Sequence, residues 1–190
     1  MSDQLNLMRA SELGGLPVVT VDGGEDAAEI KDVVYDASEH HLIGFTLNKR
    51  GWFRGSMKAS LPIENVTGIG ADAVMVPDED CLTSKSDSSD ALARPKDDVD
   101  VMGDKVVSSS GTVIGTVVDV IIETGSSPKA VGYEVDTDDG SVFIPSSAQM
   151  AISGDNLIVP AEAEEFTRND LVGFGGAVSS FRERLAGGTS

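Results

Sequence analysis

The sequence predicts an all-β fold: two small β-barrels in tandem, followed by a C-terminal amphipathic helix. Three observations lead there. A series of short apolar segments occurs twice in the same order. The segments are rich in Val and Ile and are separated by Gly, Asp and Ser. An apolar stripe at helical spacing appears only near the C-terminus.

The first barrel is expected over residues 1–77, with strands at "PVVTV", "IKDVVYD", "LIGFTL", "WFRGSMKASLP" and "AVMV". The second, over 99–162, repeats the plan with "KVVS", "TVIGTVVDVIIE", "AVGYEV", "SVFIP" and "NLIV". The separators, such as "DGGED", "SSSG", "DTDDG" and "SGDN", are turn chemistry. Gly supplies positive φ there, and Asp, Asn and Ser bond to nearby backbone. Five short strands cannot make a wide sheet with two dry faces. Closing them into a barrel buries one face and removes most free edges. Tyr133 and Val135 alternate with Glu134, so Glu134 is expected on a wet face.

The repeat can be followed residue by residue. "DAVMVP" from Asp72 returns as "DNLIVP" from Asp155, a step of 83 (155 − 72), and "LPIENV" from Leu61 returns as "IPSSAQ" from Ile144 at the same step. "DVVYD" from Asp32 returns as "DVIIE" from Asp119, a step of 87 (119 − 32), and Gly44 as Gly132, a step of 88 (132 − 44). The step changes between Gly44 and Leu61, so the first copy carries five extra residues there (88 − 83). Between the copies, residues 78–98 are polar and rich in Ser and Asp, which predicts a flexible linker.

Residues 163–190 hold the helix and tail. Leu171, Phe174, Val178, Phe181 and Leu185 fall on one helical stripe. Thr167 and Asp170 fit a capping box, and Gly187 with Gly188 fit a stop. Gly173, Gly175 and Gly176 each cost about 1 kcal/mol in a helix interior. The helix should therefore form only where its stripe is buried, on its own barrel or on a second chain in a homodimer.

The repeat resembles the PRC-barrel domain, the family named for the cytoplasmic domain of the photosynthetic reaction-centre H subunit. The second copy carries the likeness in "GTVVDVIIE" from Gly115, "AVGYEV" from Ala130, "FIP" from Phe143 and "DNLIVP" from Asp155. The first carries it in "EIKDVVYD", "LIGFTL", "LPIENVTGIG" and "DAVMV", with Glu29 taken as standing where the motif has Gly. The resemblance implies strongly bent barrels and non-catalytic work. Relatives include the reaction-centre subunit, the C-terminal domain of a ribosome-maturation factor and archaeal cell-division adaptors, all joined by protein–protein contact. The expected function is thus an adaptor or scaffold that binds a protein partner and self-associates. The alternatives are an RNA-processing or ribosome-maturation accessory factor and a small-ligand carrier.

Charge bears on partners. The chain has 14 Lys and Arg against 32 Asp and Glu, a net charge of −18. Such a field repels nucleic-acid phosphate and anionic lipid, so neither is an expected partner. The N-terminus lacks a basic region followed by an apolar one, and no apolar stretch is long enough to span a bilayer, which predicts a cytoplasmic protein with no integral membrane segment. One cysteine, Cys81, leaves no thiolate cage and no internal disulfide. His40 and His41 are adjacent and would face opposite sides of a strand. "DTDDG" lacks the downstream Glu of a calcium loop. No catalytic residue, metal or cofactor is expected.

The window from His40 to Pro62 holds no acid, yet it carries Lys49, Arg50, Arg54 and Lys58 and the only tryptophan, Trp52. Trp and Arg are the residue types that most often anchor interfaces. Lys49, Arg50, Trp52, Phe53, Arg54 and Lys58 are therefore the candidates for binding a partner. The matching hairpin in the second copy is acidic, with Asp136, Asp138 and Asp139. These three, with the helix stripe, are the candidates for contact between barrels or between chains.

Overall fold

The computed structural model describes residues 5–36, 41–49, 55–84 and 101–187. β1 (Leu7–Arg9) and the single turn α1 (Ala10–Leu13) precede β2 (Pro17–Thr20), β3 (Asp26–Asp36), β4 (His41–Lys49), β5 (Gly55–Pro62), β6 (Gly68–Ile69), β7 (Val74–Val76) and β8 (Thr83–Ser84). The second half holds β9 (Lys105–Ser108), β10 (Val113–Glu123), β11 (Lys129–Thr137), β12 (Gly140–Pro145), β13 (Ala151–Ser153), β14 (Asn156–Val159) and α2 (Leu171–Gly187).

Apart from β1, each half forms one sheet, and the two sheets share a plan. The first runs β6-β7-β2-β3-β4-β5-β8 and the second β13-β14-β9-β10-β11-β12. Neighbours are antiparallel except β2 with β7 and β9 with β14. The registers coincide: Val18 faces Val74 as Val106 faces Leu157, and Gly44 faces Pro62 as Gly132 faces Pro145. Even the irregularities repeat. β3 breaks register between Ile30 and Asp32 and between Val34 and Tyr35, and β10 does so between Val117 and Asp119 and between Ile121 and Ile122. Such bulges raise twist and bend the long strands. Among the described residues each hydrogen-bonded path runs from edge to edge without closing on itself.

The five extra residues of the first copy fall in two places. Thr46 faces Ser60 and Asn48 faces Ser56, so β5 spends two more residues than β4 over that interval. Lys49 then faces Gly55 across residues 50–54, whereas Thr137 faces Gly140 across only Asp138 and Asp139. Gly140, at φ +111, closes that two-residue turn, and the Thr137 hydroxyl donates to its carbonyl at 2.6 Å.

Some expectations change. The pairing of β2 with β3 sets Ala28 against Val18, as Gly115 lies level with Val106, so Ala28 rather than Glu29 stands at the motif's Gly position. The start of the expected linker is structured. Glu79–Cys81 form a 3-10 turn, and β8 pairs with β5, giving the edge of the first sheet a partner. Residues 85–98 lie outside the described residues. The helix begins on a different cap. The Asp170 carboxylate accepts from the Gly173 N–H at 2.7 Å, while the Thr167 hydroxyl donates to the Ala163 carbonyl at 3.4 Å.

One apolar cluster runs through both halves. Leu13, Ile30, Phe45, Leu47 and Leu61 from the first join Ile122, Tyr133, Ile144 and Leu157 from the second. A second cluster lies on the other face of the second sheet, where Phe174, Ala177 and Val178 of α2 pack on Ile121, Val131 and Phe143.

Candidate functional site

The structure brings together a set of polar residues at the seam between the halves. The N-terminal segment precedes the first sheet in sequence and pairs with the second. Leu7, Met8 and Arg9 of β1 face Glu123, Ile122 and Ile121 of β10, and the Thr124 N–H donates to the Asn6 carbonyl at 2.8 Å. Leu5 and Leu7 pack against the α2 cluster, and Leu13 is fully buried in the common core.

Two acids receive this segment. Asp119 and Glu134 face each other on β10 and β11 and are 6% and 8% exposed. Like charges directly opposite destabilise a ladder. Arg9 meets the problem at Glu134, donating from both Nε and Nη2, the latter at 3.1 Å. Its guanidinium also lies 5.5 Å from the Phe143 ring centroid and 3.5 Å from the Glu12 carboxylate. The Glu134 hydrogen bond, against the opposing effect of burial, holds the guanidinium above its ordinary value. Asp119 accepts from the Ser11 hydroxyl and backbone N–H and from the Val120 N–H at 2.8 Å. At the matching places in the first sheet stand Asp32 and Thr46. There the Thr46 hydroxyl simply donates to Asp32 at 3.1 Å, so no repulsion needs relief.

The expectation that Glu134 faces water is therefore overturned. The alternation is real, but the outer face at Glu134 is roofed by Arg9. Further contacts complete the seam. The hydroxyls of Tyr35 on β3 and Tyr133 on β11 lie 2.8 Å apart. Ile69 and Gly125 exchange backbone hydrogen bonds at 3.0 and 3.1 Å, joining β6 to the end of β10. Burial pushes both tyrosines up, Tyr133 to about 12. Sequence reasoning missed these residues because the side-chain partners are 98 to 125 positions apart. The one signal was Asp119, an acid inside the most apolar strand.

The candidates named from sequence stand as follows. Lys49 is exposed at the end of β4. Arg50, Trp52, Phe53 and Arg54 lie outside the described residues, as does the side chain of Lys58. Asp136, Asp138 and Asp139 are exposed at the β11–β12 turn. Of the stripe, Phe174, Val178 and Phe181 are buried on this chain's own second half, Leu171 is half-buried, and Leu185 is 36% exposed. His41 opens β4 and is exposed, and His40 is outside the described residues. Cys81 is half-buried beside Asp78, where burial pushes its thiol up.

Among the described residues, no group of three or more His, Cys, Asp or Glu is placed to hold a metal ion. No helix among them is long and apolar enough to cross a membrane. A family model described as PRC-barrel domain matches the chain twice, over residues 5–80 and 96–166. No curated protein matches the chain at a significant level.

Proposed function

The chain belongs to the PRC-barrel domain family, carrying two copies of the domain, and on that premise we propose that it is a non-catalytic adaptor that binds protein partners. The carrying observation is the seam. The carboxylates of Asp119 and Glu134 and the hydroxyls of Ser11, Tyr35 and Tyr133 are engaged with one another or with Arg9. These groups are spent on fixing one domain against the other. A family whose members generally work by protein contact supports the same reading.

Fixing the domains presents two unlike hairpins from one body. The β11–β12 turn is short and acidic, and the longer β4–β5 hairpin carries Lys49, Arg50, Trp52, Phe53, Arg54 and Lys58. An acidic protein surface suits the second, with the aromatics as anchors and the cations setting approach and register. The test is an affinity capture from the native lysate with wild type and with the Trp52→Ala/Arg54→Glu variant. A protein retained by the first and lost from the second supports the reading. Identical captures from both refute the hairpin's role.

A further inference from the structure

β1 has one occupied edge and one open edge. The Asn6 carbonyl accepts from the Thr124 N–H at 2.8 Å, and hydrogen-bonded pairs alternate along an antiparallel ladder, so Leu7 turns its own N–H and carbonyl away from β10. Arg9, two residues on, does the same, and its N–H donates to the Glu12 carboxylate at 3.1 Å. Among the described residues β1 pairs with β10 alone. A groove of about 480 Å³ runs along Leu5–Met8 on this open side. Ile69, Gly70 and Ala71 line it from the first half, and Leu171 and Val172 from the start of α2. Val172 is 73% exposed, the most exposed large apolar side chain among the described residues.

Two features of the groove specify an occupant. An open strand edge offers an amide and a carbonyl side by side, and a second extended backbone satisfies both. No charged side chain lines the groove, while exposed Asp72 and Asp170 adjoin its lining at Ala71 and Leu171. The cations beside β1 are engaged: Arg9 in its latch to Glu134, and Lys129 and Arg182 on Glu123. The rim is therefore acidic, in a chain of net charge −18, and complements Lys or Arg. We propose that the open edge of β1 is a strand-addition site for an extended segment of a partner protein, apolar at alternate positions and basic between them. Main-chain hydrogen bonds to Leu7 set its register, an apolar side chain packs on Leu171 and Val172, and basic ones meet Asp72 and Asp170. This surface is separate from the β4–β5 hairpin and opposite to it in charge, so one chain holds two unlike partners.

The test uses a fluorescent peptide of alternating valine and lysine, titrated against the full chain at physiological ionic strength, where long-range attraction to the acidic surface is screened. In a strand the valine amides all face one edge and the lysine amides the other, so N-methylating one set or the other blocks opposite edges. Binding followed by anisotropy should survive one methylated set and be lost with the other. Hydrogen exchange at the Leu7 amide should slow when the peptide binds. Val172→Ser leaves the charge unchanged and should weaken binding about tenfold through lost apolar contact. Val21→Ser, at another exposed valine just after β2, should change nothing. No binding, binding kept or lost alike with both methylated sets, or indifference to Val172→Ser overturns the proposal. Trp52→Ala/Arg54→Glu should leave peptide binding intact, so the hairpin reading and this one fail separately.

Discussion

Tyr35 and Tyr133 meet edge to face across the seam, with ring centroids 6.5 Å apart and their hydroxyls hydrogen-bonded at 2.8 Å. The contact breaks the symmetry of the repeat. Tyr35 faces Leu42 as Ile122 faces Ala130, and Tyr133 faces Val120 as Phe45 faces Val33. The counterpart positions are thus Ile122 and Phe45, both fully buried and both without a hydroxyl. Either site could have been apolar. One carries two hydroxyls that satisfy each other.

Removing both hydroxyls should cost less than the sum of removing each alone. Tyr35→Phe leaves the Tyr133 hydroxyl in the core with this hydrogen bond lost, and Tyr133→Phe does the converse. Each single change should destabilise by about 1–3 kcal/mol, and the double change by less than the two together. Urea unfolding of the four proteins checks this. Strict additivity would show that the hydroxyls are not coupled.

The same pair sets an alkaline limit. Both tyrosines are raised above their ordinary value of about 10, Tyr133 to about 12, chiefly by burial. Above pH 10 the unfolded chain releases phenolic protons that the folded chain retains. Stability is therefore fully present below pH 10 and declines as pH rises toward 12 and beyond. The decline should be shallower in the doubly substituted Phe variant. Phenolate absorbance should show these two tyrosines ionising only as the fold is lost.

The fold was legible because its information is local and repeated. "DAVMVP" and "DNLIVP", taken with Gly44 and Gly132, place the β7, β14, β4 and β11 strands and even reveal the longer first hairpin. The seam was not legible. β1 is three residues long, and its partner β10 lies over a hundred residues away, so no periodicity announces it. Glu134 alternates with Tyr133 and Val135 as a wet residue would, and only the arrival of Arg9 buries it. The stripe of α2 was legible, but which surface it covers is decided by the apolar outer face of Ile121, Val131 and Phe143.

The latch should show the asymmetry of a partly buried ion pair. Arg9→Ala leaves Glu134, whose side chain is 11% exposed, without this ion pair and facing Asp119. Glu134→Gln leaves Arg9, whose side chain is 32% exposed and can turn to Glu12 and water. Arg9→Ala should therefore be the more damaging, by about 1–3 kcal/mol in loss of stability, and Arg9→Ala should cost less in a Glu134→Gln background. Thermal melts at neutral pH check the order. Equal losses would mean that the pair is held by shape rather than by charge.

The helix stripe makes the last contrast. Phe174 is fully buried and packs on Phe143 with centroids 5.6 Å apart, while Leu185, on the same stripe, is 36% exposed. A Cβ at Gly132 would meet the Phe174 ring at 2.6 Å and the Ile144 carbonyl at 2.3 Å, so the strand beneath is glycine to admit that ring. Phe174→Ala should cost about 3–5 kcal/mol, and Leu185→Ala well under about 1 kcal/mol. Gly132→Ala should destabilise by about 1–3 kcal/mol through overpacking and should raise hydrogen exchange along α2. If Leu185→Ala instead matched Phe174→Ala in a concentration-dependent way, the end of the stripe would be buried against another chain rather than exposed on this one.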